Sequence, residues 1–311
     1  MFRYILKRIL LLIPIILGVL LVILFIMELT PGDPATIMLG TQANPAAVQA
    51  LNEELGYYDP FPVKYFNYVK NALQGDFGHS WQTGKPVFDA ILRRFPVTLK
   101  LAFYSVLLCA AVGIPLGVIS AKKQYSVLDM ACTSFAMVFT SMPRFWLGLL
   151  LVLLFSVHLG WVPPHGIGTW KHYVLPVVTL AAPTTARIMR LTRSTMLETI
   201  RQDYVRTACA KGASERRITV IHELKNALLP VITYLGIEFG MLLSGAILIE
   251  TVFSMQGIST MMINAIRMKD TPQVTASILF FAVLVCITNL LVDVMYAVID
   301  PRIRAKYAKA K

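Results

Sequence analysis

Residues 203–212 read DYVRTACAKG and connect two long apolar parts of the chain. Most of these residue types form helices readily, and Gly212 can adopt the left-handed turn that ends a helix. Ser214 can then cap a second helix that runs toward His222. We therefore expect two short helices joined by a glycine turn, which together make a rigid knob that a partner protein can grip.

The expected surface of this knob combines small and charged side chains. Ala208 and Ala210 would allow a partner to approach the backbone closely. Basic residues would supply charge at the edge of the contact, which sets orientation and encounter rate. These basic residues are Arg206, Lys211, Arg216 and Arg217.

The amino-acid composition of the whole chain is that of a membrane protein. Of the 311 residues, 56 % are hydrophobic and 15 % are charged, whereas soluble domains average about 25 % charged residues. A membrane helix needs roughly 20 consecutive apolar residues. We predict an all-α polytopic membrane protein with six transmembrane helices. They are expected at about Ile9–Leu29, Thr98–Ala121, Met130–Leu159, Tyr173–Leu191, Leu228–Ile249 and Val274–Ile299.

The distribution of lysine and arginine predicts the orientation in the membrane. Segments 1–8, 122–129, 187–230 and 300–311 hold 19 of the 29 basic residues, and the opposite short loops 160–172 and 250–273 hold 3. Because basic residues in short loops stay on the cytoplasmic side, both termini and the knob are predicted to be cytoplasmic. The long segment 30–97 is then extracytoplasmic.

These features predict that the chain consists of three parts. Residues 1–29 are predicted to be an N-terminal anchor helix rather than a cleaved signal, because the apolar run is too long and lacks a cleavage site. Residues 30–97 form an insertion, with a helix near Ala46–Leu55 that opens at Asn44-Pro45. Its many aromatic residues favour an ordered insertion over a simple tether. Residues 98–311 form the core, including a loop at 192–230.

Several classes of function are disfavoured. The net charge of +12 flanks apolar runs rather than forming the basic, aromatic stripe of a nucleic-acid binder. The four cysteines suggest neither a disulfide framework nor a metal site, and prolines between His158, His165 and His172 give these histidines no common helix face. The nearest match to a phosphate-binding loop, Gly78 to Gly84-Lys85-Pro86, has the wrong spacing and proline in place of the hydroxyl. ATP hydrolysis would therefore require another polypeptide.

Ionisable residues inside the predicted helices are candidates for the translocation pathway, because charge in a membrane is costly unless it faces a cavity or a partner. These candidates are Arg144, Glu238 and Asp293. Arg144, expected mid-helix after Pro143, could contact a substrate carboxylate. The alternative is an internal ion pair of Arg144 with Glu238 or Asp293.

The knob and the residues that follow it, Asn226-Ala227-Leu228-Leu229-Pro230, resemble the coupling loop of binding-protein-dependent importer permeases. The resemblance extends over the whole chain and points to the dipeptide, oligopeptide and nickel branch of these ABC importers. The other stretches that carry it are Pro31-Gly32-Asp33-Pro34, Gly75-Asp76-Phe77-Gly78, Leu159-Gly160-Trp161-Val162-Pro163, Glu250-Thr251-Val252-Phe253 and Asp300-Pro301-Arg302.

The resemblance implies the transmembrane domain of a type I ABC importer in the bacterial inner membrane. The implied partners are a second homologous permease, two cytoplasmic ATPase subunits that use ATP and Mg²⁺, an extracytoplasmic substrate-binding protein and membrane lipid. This chain would bind no cofactor and would not be an enzyme. The implied ATPase-coupling residues are Asp203, Arg206, Thr207, Ala208, Lys211, Gly212 and Glu215.

Two departures from the family pattern stand out. Arg206 occupies the position of a glutamate in the general signature, and Met255-Gln256-Gly257 replaces a tryptophan-proline-glycine turn.

The function expected from the resemblance is import of dipeptides and oligopeptides by alternating access. Chelated nickel and glutathione are alternatives within the same family. An ion-coupled secondary transporter would show internal repeats, and none is clear between 1–159 and 160–311. A membrane receptor or scaffold that uses the insertion is the remaining alternative.

Overall fold

The computed structural model describes residues 2–30, 32–40 and 42–299. Pro31, Asp300-Pro301-Arg302 and the predicted cytoplasmic segment 300–311 lie outside the described residues. The helices are, in chain order, α1 (Phe2–Glu28), α2 (Pro34–Leu39), α3 (Pro45–Glu54), α4 (Phe61–Leu73), α5 (Val87–Lys122), α6 (Val127–Ser141), α7 (Arg144–Leu151), α8 (Lys171–Ile200), α9 (Asp203–Ala210), the single turn α10 (Glu215–Arg217), α11 (Lys225–Gly245), α12 (Ile247–Val252), α13 (Ile258–Arg267) and α14 (Thr271–Ile299). Within this part of the chain there is no strand, so the predicted helical class is confirmed.

Over the residues that the structure describes, four helices are long and apolar enough to cross a membrane. They are Arg8–Glu28, Val87–Lys122, Glu215–Ser244 and Thr271–Met295. A bent pair, Val127–Ser141 with Arg144–His158, provides a fifth span if both halves count as one. Helix α8 has 30 residues but carries several arginines, and it does not qualify by composition. The count of six therefore stays a prediction.

The expected single helix over Met130–Leu159 is wrong. The chain bends by 104° between α6 and the helix that starts at Arg144, whose second half, Val152–His158, is π-helical. The cause is Pro143, because proline disfavours helical geometry in the residue before it. Met142 accordingly has an extended backbone, with φ −80° and ψ 126°. Arg144 is thus the first residue of α7 rather than a mid-helix residue.

The chain divides into two compact units, and the first is built around Leu99–Met255 with the described residues from Ile287. Helix α8 lies at its centre and packs against α6, α7, α11 and α12. It runs to Ile200 rather than ending at Leu191 as predicted, because Thr192, Met196 and Thr199 continue its buried stripe at helical spacing.

Glycines bring neighbouring helices of this unit close together. A Cβ at Gly117 of α5 would lie 2.5 Å from Cβ of Thr192 and 2.6 Å from the carbonyl oxygen of Met189, both on α8. A Cβ at Gly236 of α11 would clash with Cγ2 of Val292 on α14. These glycines therefore occupy positions where only a residue without a side chain lets the helices approach so closely.

The second unit comprises Leu6–Thr98 and Gln256–Cys286 and contains the predicted insertion. The insertion is folded, and α3 starts as predicted, with the Asn44 side chain accepting a hydrogen bond from the Ala46 amide. Buried Asn52 on α3 accepts from the Ala35 amide at 3.0 Å and donates to Asp33 at 2.9 Å. The apolar core of the unit consists of Val87, Ile91, Ile258, Met261, Ala276 and Phe281.

Candidate functional site

The knob predicted at residues 203–217 begins with the short helix α9. Its helix ends where the sequence predicts, since Gly212 has a φ of +76° that favours glycine over other residues. Val205 and Ala208 are buried and pack against Ala213 and against Ile218, the first residue after the knob. This small apolar cluster joins α9 to the helix that follows it.

The second half of the knob differs from the prediction. Glu215 opens a helix that runs through a π-helical segment, Ile218–Leu224, into α11, and it forms one continuous helix to Ser244. It is therefore the start of a long helix and not a separate short one. Ser214 occupies the capping position, but its side chain makes no capping hydrogen bond.

Most of the predicted coupling residues face outward. Asp203, Arg206, Thr207, Lys211, Gly212 and Glu215 are all exposed. Ala208 is the exception, since it is 8 % exposed and contacts its own chain. Its small size therefore serves packing inside the knob, whereas Ala210 is exposed. Residues 203–215 thus present a mixed charged and small surface that is open to a partner.

One polar contact ties the knob to α11, and a second ties the segment after the knob to α5. The Asn226 amide on α11 donates to the Tyr204 hydroxyl at 3.1 Å and to the His222 carbonyl at 2.9 Å. The ammonium of Lys122, the last residue of α5, lies 2.8 Å from Oε2 of Glu223. Sequence reasoning missed Lys122 and Glu223, because no local pattern relates residues so far apart.

The predicted pathway residue Glu238 lies at the centre of a polar cluster on apolar helices. Its carboxylate accepts from the Tyr234 hydroxyl at 2.8 Å and from the Thr184 hydroxyl at 3.3 Å. Nη1 of Arg187 lies 3.3 Å from its Oε1. The side chain of Glu238 is only 3 % exposed, so these partners compensate the cost of a buried charge.

Arg144 joins this cluster indirectly. Its Nη2 donates to the Thr184 hydroxyl at 3.5 Å, and the same hydroxyl donates to Glu238. The ion pair that the sequence offered as an alternative for Arg144 is formed instead by Arg187. Asp293, the third pathway candidate, lies on α14 and is half-buried.

Sequence reasoning missed Thr184, Arg187 and Tyr234. Arg187 falls both in the basic segment 187–230 and in the predicted helix Tyr173–Leu191, and nothing in the charge pattern indicates its partner. The signal that could have found the cluster is its spacing, since Thr184 and Arg187 lie three residues apart on α8 and Tyr234 and Glu238 lie four apart on α11. Among the described residues, no group of three metal-ligating side chains could hold an ion.

The two halves of the chain match the two parts of one family. Residues 113–305 match the inner membrane component of binding-protein-dependent transport systems. Residues 1–102 match the N-terminal part of the membrane component of these systems. The chain belongs to this family of permeases. As a permease of the peptide and nickel branch of ABC importers, it is a multi-pass protein of the inner membrane.

Two relatives of this permease share its full length. The glutathione transport system permease protein GsiC of Escherichia coli (strain K12) is 39 % identical over 306 residues, which cover 98 % of this chain and 100 % of that protein. GsiC of Salmonella typhimurium is also 39 % identical over 306 residues, with the same coverage of both chains.

Two solved structures share its fold. An inward-facing MetNI methionine ABC transporter matches with a TM-score of 0.57 at 19 % identity, over 68 % of this chain and 96 % of that chain. An amino acid ABC transporter crystallised with histidines matches with a TM-score of 0.51 at 18 % identity, over 67 % and 94 % of the two chains. Permeases of this family work with a substrate-binding protein and an ATPase, and they are not themselves the catalytic subunits.

Proposed function

We propose that this chain is one of two permease subunits in an importer that carries glutathione and related short peptides across the inner membrane. The observation that carries the proposal is its full-length likeness to permeases named for glutathione transport. The sequence analysis preferred dipeptides and oligopeptides, with glutathione as an alternative. The likeness to these permeases supports the glutathione alternative better, so we propose glutathione as the main substrate.

The knob is the proposed contact with the ATPase subunits, which bind ATP and Mg²⁺. Exposure of Asp203, Arg206, Thr207, Lys211 and Glu215 supports this role, because these side chains are open to a partner surface. The proposed arrangement has six spans with both termini in the cytoplasm. In this arrangement the knob faces the compartment that holds ATP.

The proposed mechanism is alternating access driven by movement of the knob. Closure of the two ATPase subunits displaces α9, which packs through Val205 and Ala208 against Ile218 of the helix that follows. The displacement passes into the continuous helix Glu215–Ser244, and through Lys122 and Glu223 into α5. Because helices are stiff and their packed interfaces are discrete, a shift at one end changes the opening at the other.

Uptake into proteoliposomes tests the substrate. The vesicles contain this permease, its second permease and the ATPase subunits, with ATP inside and the binding protein outside. We expect uptake of labelled glutathione that requires ATP hydrolysis, and unlabelled dialanine should compete poorly. Uptake of dialanine in preference to glutathione would contradict the substrate, and uptake without ATPase subunits would contradict the whole proposal.

A charge reversal on the knob tests the contact with the ATPase. Lys211→Glu should reduce co-purification of the ATPase with the permease, because it changes the sign of an exposed charge at the proposed interface. Lys123→Glu is the matched control, since Lys123 is also exposed and lies outside the knob. An equal loss for both variants, or for neither, would contradict the assignment.

A further inference from the structure

The polar cluster around Glu238 contains more positive than negative charge. Arg187 bonds directly to the carboxylate of Glu238, and Arg144 reaches the same carboxylate through the Thr184 hydroxyl. The Tyr234 hydroxyl donates a further hydrogen bond to Glu238. Charge inside a membrane protein is costly unless it has a partner or a cavity. Counted over residues 2–30, 32–40 and 42–299, the cluster therefore holds two positive charges and one carboxylate.

Arg187 is held loosely compared with another arginine on the same helix. Arg193 forms a two-pronged ion pair with Asp129 at 2.7 and 2.8 Å, and its side chain is 23 % exposed. Arg187 reaches Glu238 through one nitrogen at 3.3 Å and also contacts the Tyr234 hydroxyl, and its side chain is 44 % exposed. Charge-assisted hydrogen bonds are usually about 2.7–2.9 Å. A guanidinium has five N–H donors, so within the described part of the chain Arg187 keeps donors free for another acceptor.

The acceptor that fits these free donors is a carboxylate. A guanidinium presents a planar fork of donors that matches the two oxygens of a carboxylate. Glu238 pairs with one nitrogen of the Arg187 guanidinium. Arg144, which is hydrogen-bonded to Thr184, places a second positive charge nearby. An incoming carboxylate would balance the surplus charge of the cluster.

We propose that Arg187 binds a carboxylate of the substrate during translocation, that Glu238 positions it, and that Arg144 contributes to the local positive charge. The site selects short peptides with net negative charge. Glutathione belongs to this class, because its two carboxylates and one ammonium give a net charge of about −1 at neutral pH. This inference rests on the proposed function and assigns the substrate class to particular residues.

The test compares glutathione with its glycine amide, which has lost one negative charge. Both are offered to proteoliposomes at concentrations that saturate the binding protein, and the ratio of their uptake rates is measured. Arg187→Gln should lower this ratio at least about tenfold, because the variant loses a charge-assisted hydrogen bond to the substrate carboxylate, and a factor of ten corresponds to about 1.4 kcal/mol. Arg187→Lys keeps the charge without the fork and should give an intermediate ratio.

The matched control is Arg190→Gln. Arg190 is exposed on the same helix and does not contact Glu238, so its removal should leave the ratio as in the wild type. If both Arg187 variants slowed the two substrates equally, Arg187 would be only structural and the inference would be wrong. If the wild-type complex imported glutathione and Arg187→Lys left the ratio unchanged, this inference alone would be overturned. Absence of glutathione uptake by the wild-type complex would overturn the proposed function together with it.

Discussion

Lys122 and Glu223 form an ion pair of 2.8 Å between Nζ and Oε2, although 101 residues separate them in the sequence. Oε1 of the same carboxylate accepts a hydrogen bond from Nζ at 3.2 Å. The Glu223 side chain is only 3 % exposed, so Lys122 is the charge that compensates its burial. The pair connects the end of α5 to the segment that directly follows the knob.

Glu223→Gln should weaken the coupling between ATP hydrolysis and transport. The variant keeps the shape of the side chain and loses its charge, which removes about 1.5–3 kcal/mol of interaction with Lys122. We expect more ATP hydrolysed for each glutathione imported, measured as the ratio of the two rates in the same vesicles. The charge swap Lys122→Glu with Glu223→Lys should recover part of the wild-type ratio. An unchanged ratio in Glu223→Gln would show that the ion pair of Lys122 and Glu223 does not transmit the movement of the knob to α5.

Asp129→Asn should destabilise the first unit more than any exposed charge change. Asp129 accepts two hydrogen bonds from Arg193 and further bonds from the Ser120 hydroxyl and the Tyr125 amide. Breaking a buried ion pair at one partner costs about 3–5 kcal/mol. Thermal unfolding of the purified complex should show a lower midpoint.

The control for Asp129 is Asp203→Asn. Asp203 is fully exposed, and its carboxylate lies 4.0 Å from the Arg206 guanidinium. The thermal unfolding midpoint of the Asp203→Asn variant should equal that of the wild type, because exposed ion pairs contribute little to stability. Equal midpoints for Asp129→Asn and the wild type would show that the Arg193 pair does not hold the unit together.

Gly117→Ala should destabilise the packing of α5 against α8. The new Cβ would lie 2.6 Å from the Met189 carbonyl oxygen, which a side-chain rotation cannot relieve. Overpacking of this kind costs about 1–3 kcal/mol. Gly240→Ala is the matched control, because its nearest neighbour would lie at 3.5 Å, an ordinary contact. Steady-state abundance in the membrane should fall for the first variant only.

Asn52→Ala should loosen the insertion without affecting the rest of the fold. It leaves the buried Ala35 amide without its acceptor at 3.0 Å and removes a donor to Asp33. An unsatisfied buried donor costs about 1–3 kcal/mol. Hydrogen exchange at Ala35 should accelerate about fivefold to more than a hundredfold, since each 1.4 kcal/mol is a factor of ten. Gln49→Ala on the same helix, where the bond to Glu53 is exposed, should leave exchange at Ala35 unchanged.

Local signals in the sequence predicted local structure well. Asn44-Pro45 starts α3, and Gly212 ends the first half of the knob, because capping and left-handed turns depend on one or two residues. The bend at Pro143 has an equally local cause, but the long apolar run concealed it. Hydrophobicity alone does not report where a helix breaks.

Long-range pairing could not be predicted in the same way. The charge pattern counted Arg187 only as a basic residue of a predicted cytoplasmic segment, because it gives no account of the buried Glu238 that pairs with it. The pair of Lys122 and Glu223 likewise depends on how α5 and α11 come together. Such contacts are set by tertiary packing, which no short pattern encodes.

Cys209 offers a direct measurement of the central claim, that the knob faces the cytoplasm and docks on the ATPase. It is exposed on α9, whereas Cys109 and Cys286 are buried and Cys132 is half-buried. A membrane-impermeant maleimide should label Cys209 in inverted vesicles and not in intact cells, and bound ATPase should protect it. The Cys209→Ala variant should lose the signal. Labelling of Cys209 in intact cells, or labelling in vesicles that bound ATPase leaves unchanged, would contradict the account.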